Sequence, residues 1–201
     1  MNAHSRIFIF DWDDTIIPSI ELEYAHNMSN EFRQLSNLLK TIFMMALRYS
    51  KHIYILTNAE TGWVYRSTNE YIPDFRSFLD HDRITIMERK SKKEFLSDYD
   101  EQNQSRGRYL YNKTYHQFKI DTLQKIITND PLISEVIGFG DQDSDRLALK
   151  SILKVKSDIV IKTMKMYECP TIEKLIDEWI LIRDSFKDLC DDNQKLDIMV
   201  K

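Results

Sequence analysis

The chain has 201 residues, 42% hydrophobic and 30% charged, with a net charge of −4. This suits one soluble globular domain with a core of its own, and the mild acidity argues against wholesale binding of nucleic acid. The longest apolar-rich stretch, residues 38–47, is interrupted by Lys40 and is too short to span a bilayer. The only cysteines, Cys169 and Cys190, form no CxxC pair, and the five histidines are scattered. No zinc spacing follows, and a reducing compartment, the cytoplasm, is expected. Residues 1–5 are polar and lead straight into a strand, so no cleavable signal peptide is expected.

Residues 6–10 open the chain as a strand. The apolar run Ile7-Phe8-Ile9-Phe10 ends in Asp11-Trp12-Asp13-Asp14-Thr15. Such a run, bounded by polar residues, reads as a buried central strand of a parallel sheet. Acids just past its carboxyl end sit where open α/β sheets bind ligands. Asp11 and Asp13 are two apart and face the same way in extended chain. Two converging carboxylates stay together when a cation neutralises them or one holds a proton. The bland alternative is a helix cap or a solvated acidic turn. After a turn at Ile16-Ile17-Pro18, residues 21–48 read as a long helix with Leu35, Leu38, Leu39, Ile42, Met45 and Ala46 on one face.

A second strand, 52–56, ends in Thr57-Asn58-Ala59-Glu60. The hydroxyl and the amide suit an oxyanion; either residue also suits a helix N-cap. A helix follows and stops before Pro73. Residues 83–87 read as strand three. Residues 88–113 are basic and tyrosine-rich: a solvated loop with a short helix, or a basic lip that guides a phosphorylated substrate. The next helix spans 118–128 and puts Lys119 in its first turn, where its charge opposes the macrodipole. Strand four, 135–139, ends in Gly140-Asp141-Gln142-Asp143-Ser144-Asp145, with Asp143 or Ser144 as a possible N-cap. Strand five is 158–163, the last helix 171–189, and residues 191–201 read as a polar tail or the start of a further segment.

The alternation implies an α/β fold: a doubly wound, Rossmann-like, mainly parallel five-stranded sheet with helices on both faces, filling residues 1–190. The polar clusters after strands one, two and four then share one edge. Asp11, Asp13, Asp141 and Asp145 form a hard, all-oxygen set that favours Mg²⁺ over zinc. Thr57, Asn58, Lys119 and backbone N–H groups complete an anion site, and the combination fits phosphoryl transfer.

In these residues the chain resembles the haloacid dehalogenase (HAD) superfamily of phosphatases and phosphotransferases. Asp11-Trp12-Asp13-Asp14-Thr15 is similar to its first motif, DxDx(T/V). Thr57 is similar to the Ser/Thr of the second and Lys119 to the lysine of the third, and Gly140 to Asp145 to the fourth, GDxxxD. The resemblance implies that Asp11 is the nucleophile, forming an aspartyl-phosphate, and that Asp13 is general acid and then base. It implies Mg²⁺ ligation by Asp11, by the Asp13 backbone carbonyl, by Asp141 and by Asp145, with Asp143 as rival to Asp145. Thr57 and Lys119 would hold the phosphoryl oxygens, while Trp12 would be packing or a substrate wall and Asp14 a turn residue.

The segments between the motifs leave no room for a sizeable cap domain. Capless relatives include protein phosphatases, so a phosphorylated protein or peptide is the expected substrate, phosphotyrosine favoured. A sugar or nucleotide phosphatase is the alternative. A phosphoacceptor regulatory domain of the receiver type is a second alternative, but receivers carry their Asp after the third strand. For a bacterial source, a secreted effector acting on host proteins also fits. No pattern speaks to oligomeric state.

Overall fold

In the computed structural model, which describes residues 5–22, 28–90 and 104–200 (main chain only for 104–116), β1 (Arg6–Phe10) is buried along its whole length. It is flanked by β2 (His52–Glu60) and β4 (Glu135–Gly140). Beyond them lie β3 (Ile84–Arg89) on one side, and β5 (Val160–Lys165) and β6 (Leu196–Met199) on the other. All pairings are parallel, and the strand order is β3-β2-β1-β4-β5-β6. A parallel sheet must be covered on both faces, which is why β1 carries no polar residue facing water.

Alternate residues of β1 enter two cores. Phe8 and Phe10 pack with α1 (Ser29–Tyr49), α2 (Trp63–Tyr71), a 3₁₀ turn (Pro73–Phe75), α3 (Arg76–Leu79) and α6 (Ile172–Asp191). Ile7 and Ile9 pack with α4 (Gln104–Asn129) and α5 (Asp143–Ser151). The Phe10 ring stacks on Phe139 at 4.9 Å and on Phe43 at 4.7 Å, so the strand that ends in the acids is held rigidly.

The sheet has six strands, not five. The sixth is built from residues expected to be a tail or the start of a further segment; Leu196 and Val200 pack on the core, and the Asp197 between them is held by charge. Asp197 accepts hydrogen bonds from Arg146 (2.6 Å), Lys150 (2.5 Å) and Thr163 (2.5 Å). Strand β2 runs on to Glu60 through a register shift after Leu56. The first long helix starts at Ser29, not at 21; Glu21 instead accepts the N–H of Ile172 at the start of α6. Helix α4 starts at Gln104, so Lys119 lies well inside it and the macrodipole argument does not apply to it. Residues 91–103 and the side chains of 104–116 lie outside the described residues, and the expected basic lip lies largely there. The absence of a cap domain depends in part on the same residues. Among the described residues, no helix is long and apolar enough to cross a membrane.

At the amino ends of the strands, away from Asp11, Glu135 is fully buried between Arg6 (2.6 Å) and Lys162 (2.5 Å). The two cations also donate to main-chain carbonyls at the end of α6. Arg6 reaches Cys190, and Lys162 reaches Leu189 (2.7 Å) and Asp192 (2.6 Å).

Candidate active site

Going along the chain, β1 is followed by β2 on one side, whereas β4 pairs with its other side. Such a switch in strand order opens a crevice at the carboxyl ends of the strands. Here a cleft of about 670 Å³ occupies it, lined by Asp11, Asp13, Thr57, Asn58, Lys119, Asp141 and Asp145. The sequence-predicted site residues thus share one cavity.

Asp11, Asp141 and Asp145 each place a carboxylate oxygen within 4.8 Å of the others, and all three are buried. Lys119 Nζ lies 2.8 Å from Asp11 Oδ1 and 2.6 Å from Asp145 Oδ1. Lys119 thus pairs with two of the three carboxylates, while the buried ammonium of Lys165 donates to the main-chain carbonyl of Asp141. Burial pushes the Asp11 carboxyl up, against the pull of Lys119 and with added repulsion from Asp145. Burial likewise pushes Asp141 up to about 6, opposed by its bond from the Gln142 amide. Burial works against the Lys119 ammonium too, but Asp11 and Asp145 outweigh it and hold its value above the usual lysine range. Asp11 and Lys119 are both raised although they touch. For a contact at this distance their mutual attraction is firm, so the upward push on Asp11 comes from burial and from the second carboxylate. A buried set of three carboxylates with oxygen ligands alone suits a hard divalent cation.

Local sequence explains the geometry. Gly140 ends β4, and a Cβ there would stand 2.6 Å from Asp145 Oδ2. Its absence lets α5 start close against the strand. Gln142, not Asp143 or Ser144, is the N-cap of α5, and Asp145 closes a capping box by accepting the Gln142 N–H at 3.1 Å. Asp145 therefore faces Asp11 and Asp141. Asp143 is exposed and pairs with Arg146 at 2.9 Å.

Asp13 stands apart from the three clustered carboxylates. Its Oδ1 accepts from Ser19 Oγ (2.6 Å) and Trp63 Nε1 (2.7 Å), and its Oδ2 from Thr57 Oγ1 (3.1 Å). Neither Thr57 nor Asn58 caps a helix; α2 begins at Trp63 after Gly62, which takes the left-handed φ of 87°. Asn58 Oδ1 is buried without a hydrogen-bond partner. Trp12 is fully buried and donates to Ser67 Oγ at 3.0 Å, so it packs rather than lining the cleft. Asp14 takes a left-handed turn at φ 53°, and its carboxylate accepts the Ile20 N–H.

Sequence reasoning missed Ser19 and Glu168, and it took Trp63 as a possible flank for an aromatic substrate ring rather than as a partner of Asp13. Glu168 lines the cleft beyond β5 and pairs with Lys165 at 2.9 Å. Its signal was weak, because no acid directly follows the fifth strand. Ser19 and Trp63 both donate to Asp13 Oδ1, contacts that no sequence spacing signals. The chain matches no protein-family model, no curated protein and no solved structure.

Proposed function

We propose that this chain is a Mg²⁺-dependent phosphatase of haloacid dehalogenase type on a Rossmann-like fold, hydrolysing phosphomonoesters through an aspartyl-phosphate on Asp11. The observation that carries this reading is the division of labour at the end of β1. Asp11 is tied to Lys119 and grouped with two further carboxylates, whereas Asp13, two residues on, is tied to Thr57. Asp11, Asp141 and Asp145 would hold Mg²⁺, which when bound supplies positive charge to the phosphoryl oxygens.

Asp11 Oδ1 is engaged by the Trp12 N–H and by Lys119, both at 2.8 Å. That leaves Oδ2 to attack phosphorus. As the P–O bond to the leaving group breaks, Asp13 protonates the departing oxygen. Asp13 then takes a proton from the water that attacks the phosphorus of aspartyl-phosphate, which returns Asp11 to its starting form. Lys119 and Thr57 orient the phosphoryl oxygens, and Asn58 Oδ1 is an acceptor for a substrate hydroxyl or for water.

The substrate we favour is a phosphorylated protein or peptide, with phosphotyrosine ahead of phosphoserine or phosphothreonine. Asp143 and Glu168 are exposed acids on the cleft wall, and they disfavour substrates with further phosphates, such as nucleotides. The test is a screen of phosphopeptides and metabolite phosphates with Mg²⁺. Phosphate release is expected on phosphopeptides, and Asp11→Asn should lower it by at least about 10³-fold. Activity that survives Asp11→Asn would refute the mechanism, and a preference for nucleotides would refute the substrate class.

A further inference from the structure

The loop that carries Asp11 and Asp13 is fastened to helix α2 at two points. Trp12 Nε1 donates to Ser67 Oγ at 3.0 Å, and Trp63 Nε1 donates to Asp13 Oδ1 at 2.7 Å. Trp63 and Ser67 are four apart and share a helix face. The start of α2 is itself fixed from the sheet. Glu88 on β3 accepts the N–H groups of Gly62 (2.6 Å) and Val64 (2.8 Å), which bracket Trp63. Arg66 lies 6.0 Å from the indole centroid.

An indole N–H can only donate. With Ser19 Oγ also 2.6 Å away, Oδ1 of Asp13 has both its lone-pair directions taken. Oδ2 faces Thr57, whose hydroxyl rotates and can either donate or accept.

We propose, resting on the phosphatase reading above, that Trp63 is a positioning residue that makes Asp13 Oδ2 the proton-carrying oxygen. Its indole N–H, together with the Ser19 hydroxyl, occupies Oδ1 and fixes the carboxyl plane. The proton then passes from Oδ2 to the leaving oxygen as its bond to phosphorus breaks. A proton from the attacking water returns to the same Oδ2 as the aspartyl-phosphate is hydrolysed. Trp63 bonds the other oxygen, Oδ1, and does not line the cleft.

A positioning role for the acid makes a prediction that a packing role does not. Poor leaving groups need the proton, whereas good ones leave without it. The experiment measures kcat/KM, which covers the steps up to release of the leaving group, on p-nitrophenyl, phenyl and alkyl phosphates with Mg²⁺. Trp63→Phe keeps an aromatic ring and removes the N–H. It should lower kcat/KM by about 10²-fold or more for the alkyl ester, and by less than about tenfold for p-nitrophenyl phosphate. Ser19→Ala, which removes the second donor from a different element, should steepen the leaving-group dependence in the same direction by a smaller amount. Thermal melts identify variants that fail to fold, and Ser19→Ala keeps the proposal testable if Trp63→Phe does. An equal fall on all the esters, or no fall, would overturn the role of Trp63 and leave the phosphatase standing. A wild type that releases no phosphate from any ester, or whose release is unchanged in Asp11→Asn, would overturn both.

Discussion

Gly140 shows how tightly single residues set this site. An added methyl group would stand 2.6 Å from Asp145 Oδ2 and 2.7 Å from Asp145 Cβ. Gly140→Ala should therefore push α5 away from β4, weaken Mg²⁺ binding, and cost about 1–3 kcal/mol of stability as an overpacked contact does. Thermal unfolding and a Mg²⁺ titration check this; unchanged values in both would show that the loop yields freely. The Gly-Asp step was legible in the sequence because it stands directly after an apolar strand. The split between Asp143 and Asp145 was not, because it depends on which residue begins the helix. Gln142 takes the N-cap position, so Asp145 falls at the third helical residue and turns inward, while Asp143 turns out to Arg146. Trp63 and Ser19 were equally hidden. Their contacts with Asp13 join positions far apart in the chain or separated by a turn, and no spacing rule covers them.

At the scale of elements, the burial of Glu135 between Arg6 and Lys162 ties β4 to β1 and β5, and the two cations close the carboxyl end of α6. Cations at that end of a helix meet its partial negative charge. Glu135→Leu would leave two buried cations without their acid, and should destabilise the fold by about 3–5 kcal/mol. Denaturant unfolding measures the loss, and a change below about 1 kcal/mol would contradict this account of the triad. The first five strands could be read from apolar runs ending in polar residues, with ends shifted by a few residues. Strand β6 could not. It is four residues long, and besides its ladder to β5 and the packing of Leu196 and Val200 it is held by Asp197 reaching Arg146, Lys150 and Thr163, a set scattered along the sequence. The early start of α4 was also hidden, because Arg106, Gly107, Arg108 and the tyrosines near them interrupt any apolar period.

For the whole molecule, the parallel sheet brings the ends of β1, β2 and β4 together, and the acids gathered there store repulsion. Asp141 is raised from its ordinary 3.8 to about 6 by burial. A raised carboxyl contributes stability that is full below its unfolded value and is lost as pH rises through its folded value. Without a divalent cation the protein should thus lose stability between about pH 4 and about pH 6. On the proposed reading Mg²⁺ would bind the ionised form and should restore it, by about 2.7 kcal/mol at a hundred times its dissociation constant. Melting curves with Mg²⁺ and with chelator should diverge as pH rises through this window, and Asp141→Asn should reduce both the slope and the divergence, the remainder coming from Asp11, which burial also raises. Curves that stay parallel would speak against a cation at Asp141.

A covalent phosphoryl group at Asp11 is the centre of the proposed mechanism, in which Asp13 is the base that activates water. Asp13→Asn removes the base that activates water, so the intermediate should accumulate when the leaving group needs no acid. Mixed with p-nitrophenyl phosphate and Mg²⁺ and quenched in acid, this variant should release p-nitrophenol in one burst equal to the enzyme present and then nearly stop. The peptide containing Asp11 should carry the mass of one phosphoryl group. Turnover at the wild-type rate with no burst, and no phosphoryl group on that peptide, would contradict the mechanism.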